Sequence, residues 1–444
     1  MSARSTAGLF ACGAGLAALT IAGLSFQRGN HLDRFLVAVA AQSVIYAIAV
    51  WLTWHGGSSR RITLAIVSLA IVIRIPVAFA PPYLSTDIHR YVWDGHIEAA
   101  GFNPYRYAPT DPRLAALRDP RIYPLIASKD APTIYPPVAE AIFLAVTRVS
   151  ESAAALKVAM AICDVIAFFL LVRLLALEGM PTGRVLVYAW HPLPLWEFAG
   201  SGHIDVVLIV CLLAAFYSAR KRRTGLSGLF LAAATLTKFY PALLAPALYR
   251  RWGWRMPATF AAAIVVGYLP FVSAGPQVLG FLPGYAHQEG FDAAGTGFYL
   301  LDLLHHMPAF ASLSARGYAA GALAVLAVLG LAVALRPDRD RPPYAAAAAL
   351  AALFMVAVSP HYPWYFSWLI VFACCVRSFA LLWLTNACLL LYLATGYIFV
   401  PSFRLLAIES LIYGPFAGLA LVDLWSGRRA AMPSPSRPRA KMSR

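Results

Sequence analysis

The chain alternates between long apolar runs and short polar segments. About 20 consecutive apolar residues are needed for a helix to cross the hydrocarbon core of a bilayer, and several runs reach that length. The pattern therefore predicts an all-α polytopic membrane protein. Spans are predicted over residues 7–26, 32–54, 62–80, 154–174, 185–199, 317–335, 343–358, 364–377, 379–399 and 405–425.

Basic residues indicate the side of the membrane on which each loop lies, because short cytoplasmic loops collect Lys and Arg. Basic runs lie at residues 60–61, 220–223, 250–255 and 336–341, and in the Pro- and Ser-rich tail 427–444. We expect these segments to be cytoplasmic and the tail to be disordered. Both termini then lie in the cytoplasm, and two long loops, 81–134 and 275–315, lie outside.

Three segments do not fit a simple crossing. Residues 135–149 open with Pro136 and Pro137 and are too short to span, so we predict a juxtamembrane helix on the outer face. Prolines also interrupt residues 237–241 and 359–366. We predict broken or re-entrant helices there, with Lys238 at depth in the first of them. The total comes to about twelve to fourteen crossings.

Composition agrees with a membrane protein and argues against other classes. The 444 residues are 60% hydrophobic, and their mean hydropathy of +0.68 exceeds that of soluble domains. The net charge of +16 is spread over separate loops, which argues against nucleic acid as a partner. All six cysteines lie in apolar runs without a CxxC pair, so neither disulfides nor a zinc site is predicted.

Ionisable residues are concentrated on the predicted outer side. Residues 84–114, LSTDIHRYVWDGHIEAAGFNPYRYAPTDPRL, contain four acids, two histidines and three arginines. Nine of the ten histidines, all except His55, fall on or near that side. A transporter is expected to place such groups near the bilayer midplane between inverted repeats, and we find no internal repeat. The pattern favours chemistry at the outer membrane surface.

Five motifs follow one another along the chain: DIHRYVWDGHIEAAGFNPYRYAP, TIYPPVAEAIF, AWHPLPLWEFAGSGHIDVVLI, TKFYPALLAPAL and SPHYPWYFSWL. Together they resemble the membrane glycosyltransferases of the C-type fold, and among these the bacterial polyprenyl-phosphate-mannose-dependent mannosyltransferases. The resemblance implies a glycosyltransferase membrane core over residues 60–375. A two-helix extension, 1–59, would precede it, and C-terminal helices, 376–426, would follow it.

The resemblance also implies an activity. The protein would be an inverting hexosyltransferase that moves a sugar, with mannose as first choice, from a polyprenyl-phosphate carrier to a glycolipid or glycan acceptor. It would lie in the lipid bilayer of the bacterial inner membrane, with its site on the outer face. No cofactor and no metal are expected, because Lys and Arg can stabilise a single phosphate as it leaves.

The resemblance assigns roles to individual residues. Asp87, just after the third span, matches the general base that deprotonates the acceptor hydroxyl. Asp94 lies seven residues further on, shares a helix face with Asp87 and is the fallback base. The remaining expected residues are donor-phosphate contacts at Arg90, Arg106, Lys238 and His361, and substrate contacts at His89, Glu197, His203, Asp205, His287 and Glu289.

Other interpretations stay open. Asp87 could cap a helix, Arg90, Asp94 and Arg106 could form structural salt bridges, and Lys238 could pair with a buried acid. The sugar could be glucose, galactose or arabinose. A lipid-linked-sugar flippase or transporter is favoured if Lys238 and Arg74 share a central cavity. A non-catalytic assembly protein is favoured if a neutral residue in place of Asp87 is tolerated.

Overall fold

The computed structural model describes residues 3–56, 58–249, 253–292, 297–336, 342–395 and 402–431. Regular structure in these segments is helical throughout, which confirms the predicted all-α class. The principal helices are α1 (Ala3–Arg28), α2 (Leu32–His55), α3 (Arg60–Phe79), α4 (Asp87–Ala99), α5 (Pro137–Thr147), α6 (Ala153–Leu177), α7 (Asp205–Arg220), α8 (Thr224–Thr235), α9 (Arg255–Tyr268), α10 (Ala315–Leu335), α11 (Tyr344–Val358), α12 (Leu369–Cys375), α13 (Phe379–Ala387) and α14 (Ser402–Ala431).

Seven helices within the described segments are long and apolar enough to cross a membrane, so the protein is a multi-pass membrane protein. Among them, α1, α2, α3 and α6 correspond to the first four predicted spans. Five shorter apolar helices of 10–17 residues accompany them. The number of crossings, about twelve to fourteen, and the sides of the loops stay predictions.

Both predicted helix breaks are present. Helix α8 ends at Thr235, and the chain resumes as the 3₁₀ turn Tyr240–Leu244 and the short helix Ala245–Leu248, with Lys238 in the gap. Helix α11 ends at Val358, and Ser359 adopts a left-handed conformation with a φ of 47° before the 3₁₀ turn Pro363–Phe366. Pro360 follows Ser359 at the end of α11, and Pro241 keeps the chain after α8 from resuming a regular helix, because proline has no amide hydrogen to donate.

The predicted span over residues 185–199 is not a single helix. The chain there is divided into Thr182–Val185, Leu186–Ala189 and Pro192–Pro194, followed by a π-helical turn, Leu195–Gly200. Pro192 and Pro194 remove two helical donors, and apolar periodicity alone could not register that interruption. The wide π turn leaves Glu197 fully buried in the protein.

The segment between α3 and α6 contains a packed helix pair, α4 and α5, which fixes the start of α4 against the membrane helices. A Cβ atom at Gly95 would lie 2.5 Å from the carbonyl oxygen of Phe143, so only glycine permits this approach of the two backbones. One turn earlier, the ring of Tyr91 stacks on Phe143 with centroids 4.4 Å apart. As predicted, residues 135–149 contain a helix too short to span.

The second loop, 275–315, is partly helical, with Leu282–Gln288 and Tyr299–His305 as its longer elements. Helix α14 reaches Ala431 and so enters the predicted tail. Residues 250–252, 337–341 and 432–444 lie outside the described residues. With them lie half of the predicted basic segment 250–255, most of the segment 336–341 and the end of the tail. The predicted domain boundaries stay predictions.

Candidate active site

Asp87 is the first residue of α4, which begins shortly after α3 ends at Phe79. Thr86 occupies the N-cap position, and no side chain caps the helix. The backbone N–H of Asp87 donates to the Ser85 hydroxyl over 3.2 Å. The helix-cap interpretation of Asp87 therefore fails, and its carboxylate is available for other contacts.

The side chain that faces Asp87 is the buried imidazole of His203. His203 Nδ1 lies 3.9 Å from the Asp87 carboxylate, which is too far for a hydrogen bond. The other ring nitrogen, Nε2, lies 3.4 Å from Glu197 Oε2, and the Tyr392 hydroxyl donates to Glu197. The ring itself stacks on Trp364 with centroids 4.0 Å apart. His203 is thus held between two carboxylates.

Glycine makes this approach possible. Gly202 has a φ of +78°, a conformation that side chains disfavour. A Cβ atom there would lie 2.5 Å from Ile88 Cδ1 and 3.1 Å from Lys157 Cγ. The GHID segment can therefore lie directly against the start of α4, which brings His203 beside Asp87.

Lys238, in the break after α8, forms an ion pair with Asp205 at the start of α7. Its Nζ lies 2.9 Å from Asp205 Oδ2 and 4.4 Å from the ring centroid of Tyr365. The Tyr240 hydroxyl donates to the other oxygen of Asp205 over 3.0 Å. The structure therefore confirms the pairing of Lys238 with a buried acid, and this pair is close enough to influence Asp87.

The electrostatic setting of Asp87 follows from these neighbours. Its side chain is 32% exposed. Desolvation raises its pKa above the usual 3.8; the charge of Lys238 opposes that rise, and the charge of Asp205 adds to it. The group is therefore a better proton acceptor than an ordinary surface aspartate, and it is still accessible to solvent.

Asp94 lies in a different environment, although it belongs to the same helix. It is 0% exposed, and Arg90 Nε donates to it over 2.8 Å. Arg90 also donates to the carbonyl of Ala131 over 3.0 Å. These contacts confirm the salt-bridge interpretation of Arg90 and Asp94.

Two further acids, Glu98 and Glu140, interact with Asp94. Desolvation, with a further contribution from the charge of Asp94, raises the pKa of Glu98 to about 8. The Thr133 hydroxyl donates to Glu140 over 2.6 Å. Three acids share one arginine in this cluster, so part of it holds protons at neutral pH.

The other predicted residues are dispersed. His361 Nδ1 donates to Glu289 over 3.0 Å, and its neighbour Tyr362 stacks on Trp364, with ring centroids 4.7 Å apart. This second-loop pair therefore adjoins the ring that covers His203. His89 contacts the carbonyl oxygen of Thr86 over 3.1 Å.

Two of the predicted residues lie at the surface, away from these contacts. His287 pairs with Asp292. Arg106 is exposed, with its guanidinium over the Tyr107 ring. Neither is joined to Asp87 by a contact within the described part of the chain.

Sequence reasoning missed the aromatic side chains of the site. Trp364 and Tyr365 lie in the SPHYPWYF motif, so the motif itself was a usable signal. Tyr392 contacts Glu197 from 195 residues away, and no local pattern indicates it. Across the segments that the structure describes, no group of three or more His, Cys, Asp or Glu side chains is arranged to hold a metal ion.

Comparison with known proteins gives one match. The family model described as alpha-(1->6)-mannopyranosyltransferase, N-terminal domain, matches residues 5–253, more than half of the chain. The matched region contains Asp87, Glu197, His203, Asp205 and Lys238. No curated protein and no solved structure matches.

Proposed function

The chain belongs to the alpha-(1->6)-mannopyranosyltransferase family, and we propose that it takes mannose from polyprenyl-phosphate mannose and transfers it at the outer face of the bacterial inner membrane. Family membership supports mannose transfer to a glycan acceptor in a membrane setting. It therefore favours mannose over glucose, galactose and arabinose as the transferred sugar. The lipid donor, the outer face and the residue roles are our proposal.

One observation carries this proposal: a partly exposed carboxylate with a raised pKa lies beside a buried lysine. Asp87 follows the end of α3, and Lys238 lies where α8 breaks. A lipid-linked donor needs this combination, because its phosphate remains at the membrane while its sugar faces the acceptor. Lys238 supplies the cation for the phosphate, and Asp87 supplies the base for the acceptor hydroxyl.

The reaction is a single displacement. The acceptor hydroxyl oxygen attacks the anomeric carbon of mannose and forms the new glycosidic bond, while its proton moves to Asp87. The bond from the anomeric carbon to the phosphate oxygen breaks, and its electron pair leaves with polyprenyl phosphate. Displacement inverts the anomeric centre, so an α product requires a β-linked donor.

The surrounding residues have supporting roles in this scheme. His203, held between Asp87 and Glu197, orients the base. Asp205 holds Lys238, and His361 is a second candidate for the phosphate because it lies near the Trp364 stack. Arg90 and Arg106 are left out, since Asp94 occupies the first and the second is exposed away from Asp87.

The transporter alternative has less support. A transporter would be favoured if Lys238 and Arg74 shared a central cavity. Arg74 instead pairs with Asp164 over 2.5 Å and donates to the carbonyl of Ala189 over 2.9 Å. Lys238 pairs separately with Asp205, so each cation is held by its own acid.

The proposal is tested with membranes that contain the protein and polyprenyl-phosphate mannose labelled in the sugar. We expect label in an α-linked product from the β anomer of the donor and none from the α anomer. Addition of a chelator should leave the rate unchanged, because Lys238 stabilises the leaving phosphate. Transfer from a nucleotide sugar alone, or a requirement for a divalent ion, would contradict the proposed donor chemistry.

The outer location has its own test. A cysteine introduced at Ser85, two residues before Asp87, should react with an impermeant thiol reagent added to intact cells. The matched control is a cysteine at Arg222, in the basic turn between α7 and α8, which should react only after permeabilisation. The opposite pattern would place the Asp87 end of the molecule in the cytoplasm.

A further inference from the structure

His203 and Glu197 form a buried contact that requires a shared proton. Both residues are 0% exposed. His203 Nε2 and Glu197 Oε2 face each other over 3.4 Å, and neither atom has a hydrogen-bond partner elsewhere in the described part of the chain. A buried polar atom without a partner costs stability. One proton is therefore expected to lie between these two atoms.

Two arrangements with a neutral His203 place a proton there. In the first, Glu197 is charged and His203 carries its proton on Nε2. In the second, Glu197 is a neutral acid that donates to Nε2, so His203 carries its own proton on Nδ1. Nδ1 lies 3.4 Å from the Tyr91 hydroxyl, which can accept or donate. Tyr91 thus fits both arrangements, and the balance of charge decides between them.

A doubly protonated His203 is disfavoured by its surroundings. Desolvation holds the pKa of His203 well below its usual 6.5, and the charge of Lys238 lowers it further. The ring therefore stays neutral and carries a single proton, on one nitrogen or on the other.

Burial argues against a charged Glu197. Within the described residues no lysine or arginine pairs with it, and its polar neighbours are His203 and the Tyr392 hydroxyl. Asp87 and Asp205 already share the charge of Lys238, so a third carboxylate would have no cation to balance it. An unpaired charge in a dry site costs far more than a neutral acid. The second arrangement is therefore the favoured one.

We infer that Glu197 acts as a neutral acid that fixes the tautomer of His203, so that the Nδ1–H group of His203 faces the Asp87 carboxylate. Glu197 is a positioning residue, because it acts through His203. The inference rests on the proposed function, since it takes Asp87 to be the base.

This tautomer explains how His203 can orient the base. Nδ1 lies 3.9 Å from Asp87, and catalytic contacts of this length often shorten once the substrates bind. An N–H group at Nδ1 can then donate to one carboxylate oxygen of Asp87 and leave the other oxygen for the acceptor hydroxyl. The opposite tautomer would turn a lone pair toward the carboxylate and repel it.

Nitrogen NMR of the purified full-length protein, labelled with isotopic histidine, reads the tautomer directly, because protonated and unprotonated ring nitrogens give well-separated signals. His203→Gln identifies the signals of this ring. We expect the proton on Nδ1 in the wild type and in Glu197→Gln, whose amide donates to Nε2 as the neutral acid does. In Glu197→Ala that donor is lost, and both tautomers should be present.

The matched control in the same spectra is His191, a buried histidine with the opposite tautomer. Its Nδ1 accepts from the backbone N–H of Leu193 over 3.1 Å, so its proton is on Nε2, which lies 3.0 Å from the Thr385 hydroxyl. His191 should keep this tautomer in all three variants. A proton on Nε2 of His203 in the wild type would overturn the inference, and that result does not depend on whether any variant folds.

Turnover gives a second readout. The kcat of Glu197→Gln should exceed that of Glu197→Ala by about tenfold to a hundredfold, the usual contribution of a hydrogen bond to a charged group such as Asp87. The donor Kd should be the same in both variants. A folded Glu197→Gln that is as inactive as Asp87→Asn would overturn the inference, because the site would then need a charged Glu197.

The inference and the proposed function fail separately, since the NMR spectra need neither donor nor transfer. A proton on Nδ1 without transfer from polyprenyl-phosphate mannose would uphold the tautomer and reject the donor assignment. Mannose transfer by a protein with the proton on Nε2 would uphold the donor assignment and reject the tautomer.

Discussion

The first turn and the middle of α4 each carry an aspartate, and the two aspartates have opposite surroundings. Asp87, in the first turn, is 32% exposed, has the His203 ring beside it and lies within the influence of the charge on Lys238. Asp94, in the middle, is fully buried and tied to Arg90, with Glu98 and Glu140 nearby. Residue type, helix and predicted face are the same for both.

The difference shows that access to the carboxylate separates a candidate base from a structural acid. Asp94 already accepts a hydrogen bond from Arg90, and solvent does not reach its carboxylate. A general base must come within hydrogen-bond distance of the acceptor hydroxyl, which only Asp87 allows. The four predictions that follow test this contrast, from the largest expected effect to the smallest.

The largest effect is expected for Asp87→Asn. The amide keeps the size of the side chain but cannot take the proton, and a positioned base contributes roughly a hundredfold to ten-thousandfold to the rate. We expect kcat to fall by at least about a hundredfold, with donor affinity little changed. The measurements are turnover and donor binding on the same preparation.

The matched control for that variant is Asp94→Asn on the same helix. It should lower the thermal midpoint while kcat stays within a few-fold of the wild type, because Asp94 does not touch the acceptor. Near-normal turnover of Asp87→Asn together with an inactive Asp94→Asn would show that Asp94 is the general base and that Asp87 is not.

The two cations beside these aspartates should differ as well. Lys238→Gln removes the proposed phosphate contact, so we expect the donor Kd to rise about tenfold to a hundredfold, the usual contribution of a charged hydrogen bond. Arg90→Gln should leave the donor Kd unchanged and lower stability, by about 3–5 kcal/mol if Asp94 stays charged. Calorimetric donor titration and thermal unfolding measure the two effects.

A further variant separates charge from folding at Lys238. In Lys238→Gln, Asp205→Asn, both members of the ion pair are neutral, so no buried charge is left alone. This double variant should regain stability relative to Lys238→Gln and still bind the donor weakly. Recovered donor affinity would show that Lys238 only neutralises Asp205.

The pH profile of kcat/KM should show an acidic limb that belongs to Asp87. Its pKa is raised above 3.8, and only the deprotonated form can accept the proton. Activity should therefore fall about tenfold per pH unit below that raised pKa. Lys238 lowers the pKa of Asp87, so Lys238→Gln should move the limb to higher pH, and Asp94→Asn should leave it in place. If the acidic limb moved in Asp94→Asn, it would report the titration of Asp94 and not that of Asp87.

The smallest effect concerns stability around Asp94. The pKa of Glu98 is raised from 4.5 to about 8, so the folded state binds a proton that the unfolded state releases between those values. Stability should therefore fall as pH rises through this window, by at most about 1.4 kcal/mol per pH unit. Glu98→Gln should flatten the slope of the thermal midpoint against pH. Asp130→Asn, at an exposed residue of the loop that follows α4, is the control and should keep the slope.

Apolar run length by itself determined where most helices form. A run of about 20 apolar residues has few alternatives to a helix in a bilayer, because every backbone group must be hydrogen-bonded within the segment. Proline marked the breaks at 237–241 and 359–366 for an equally local reason. Apolar run length was misleading at residues 185–199, because Pro192 and Pro194 divide that apolar stretch into short turns.

Only the tertiary structure decided which polar residues work together. Sequence reasoning predicted Asp87 directly after a span and Lys238 at a helix break. It also kept Asp94 as the fallback base and predicted Arg106 as a donor-phosphate contact like Lys238. Asp87, His203 and Lys238 come from three distant segments, and the close approach at Gly202 depends on packing between them. Burial and pairing set the pKa of a carboxylate and its access to a ligand, and both depend on neighbours that lie far away in the chain.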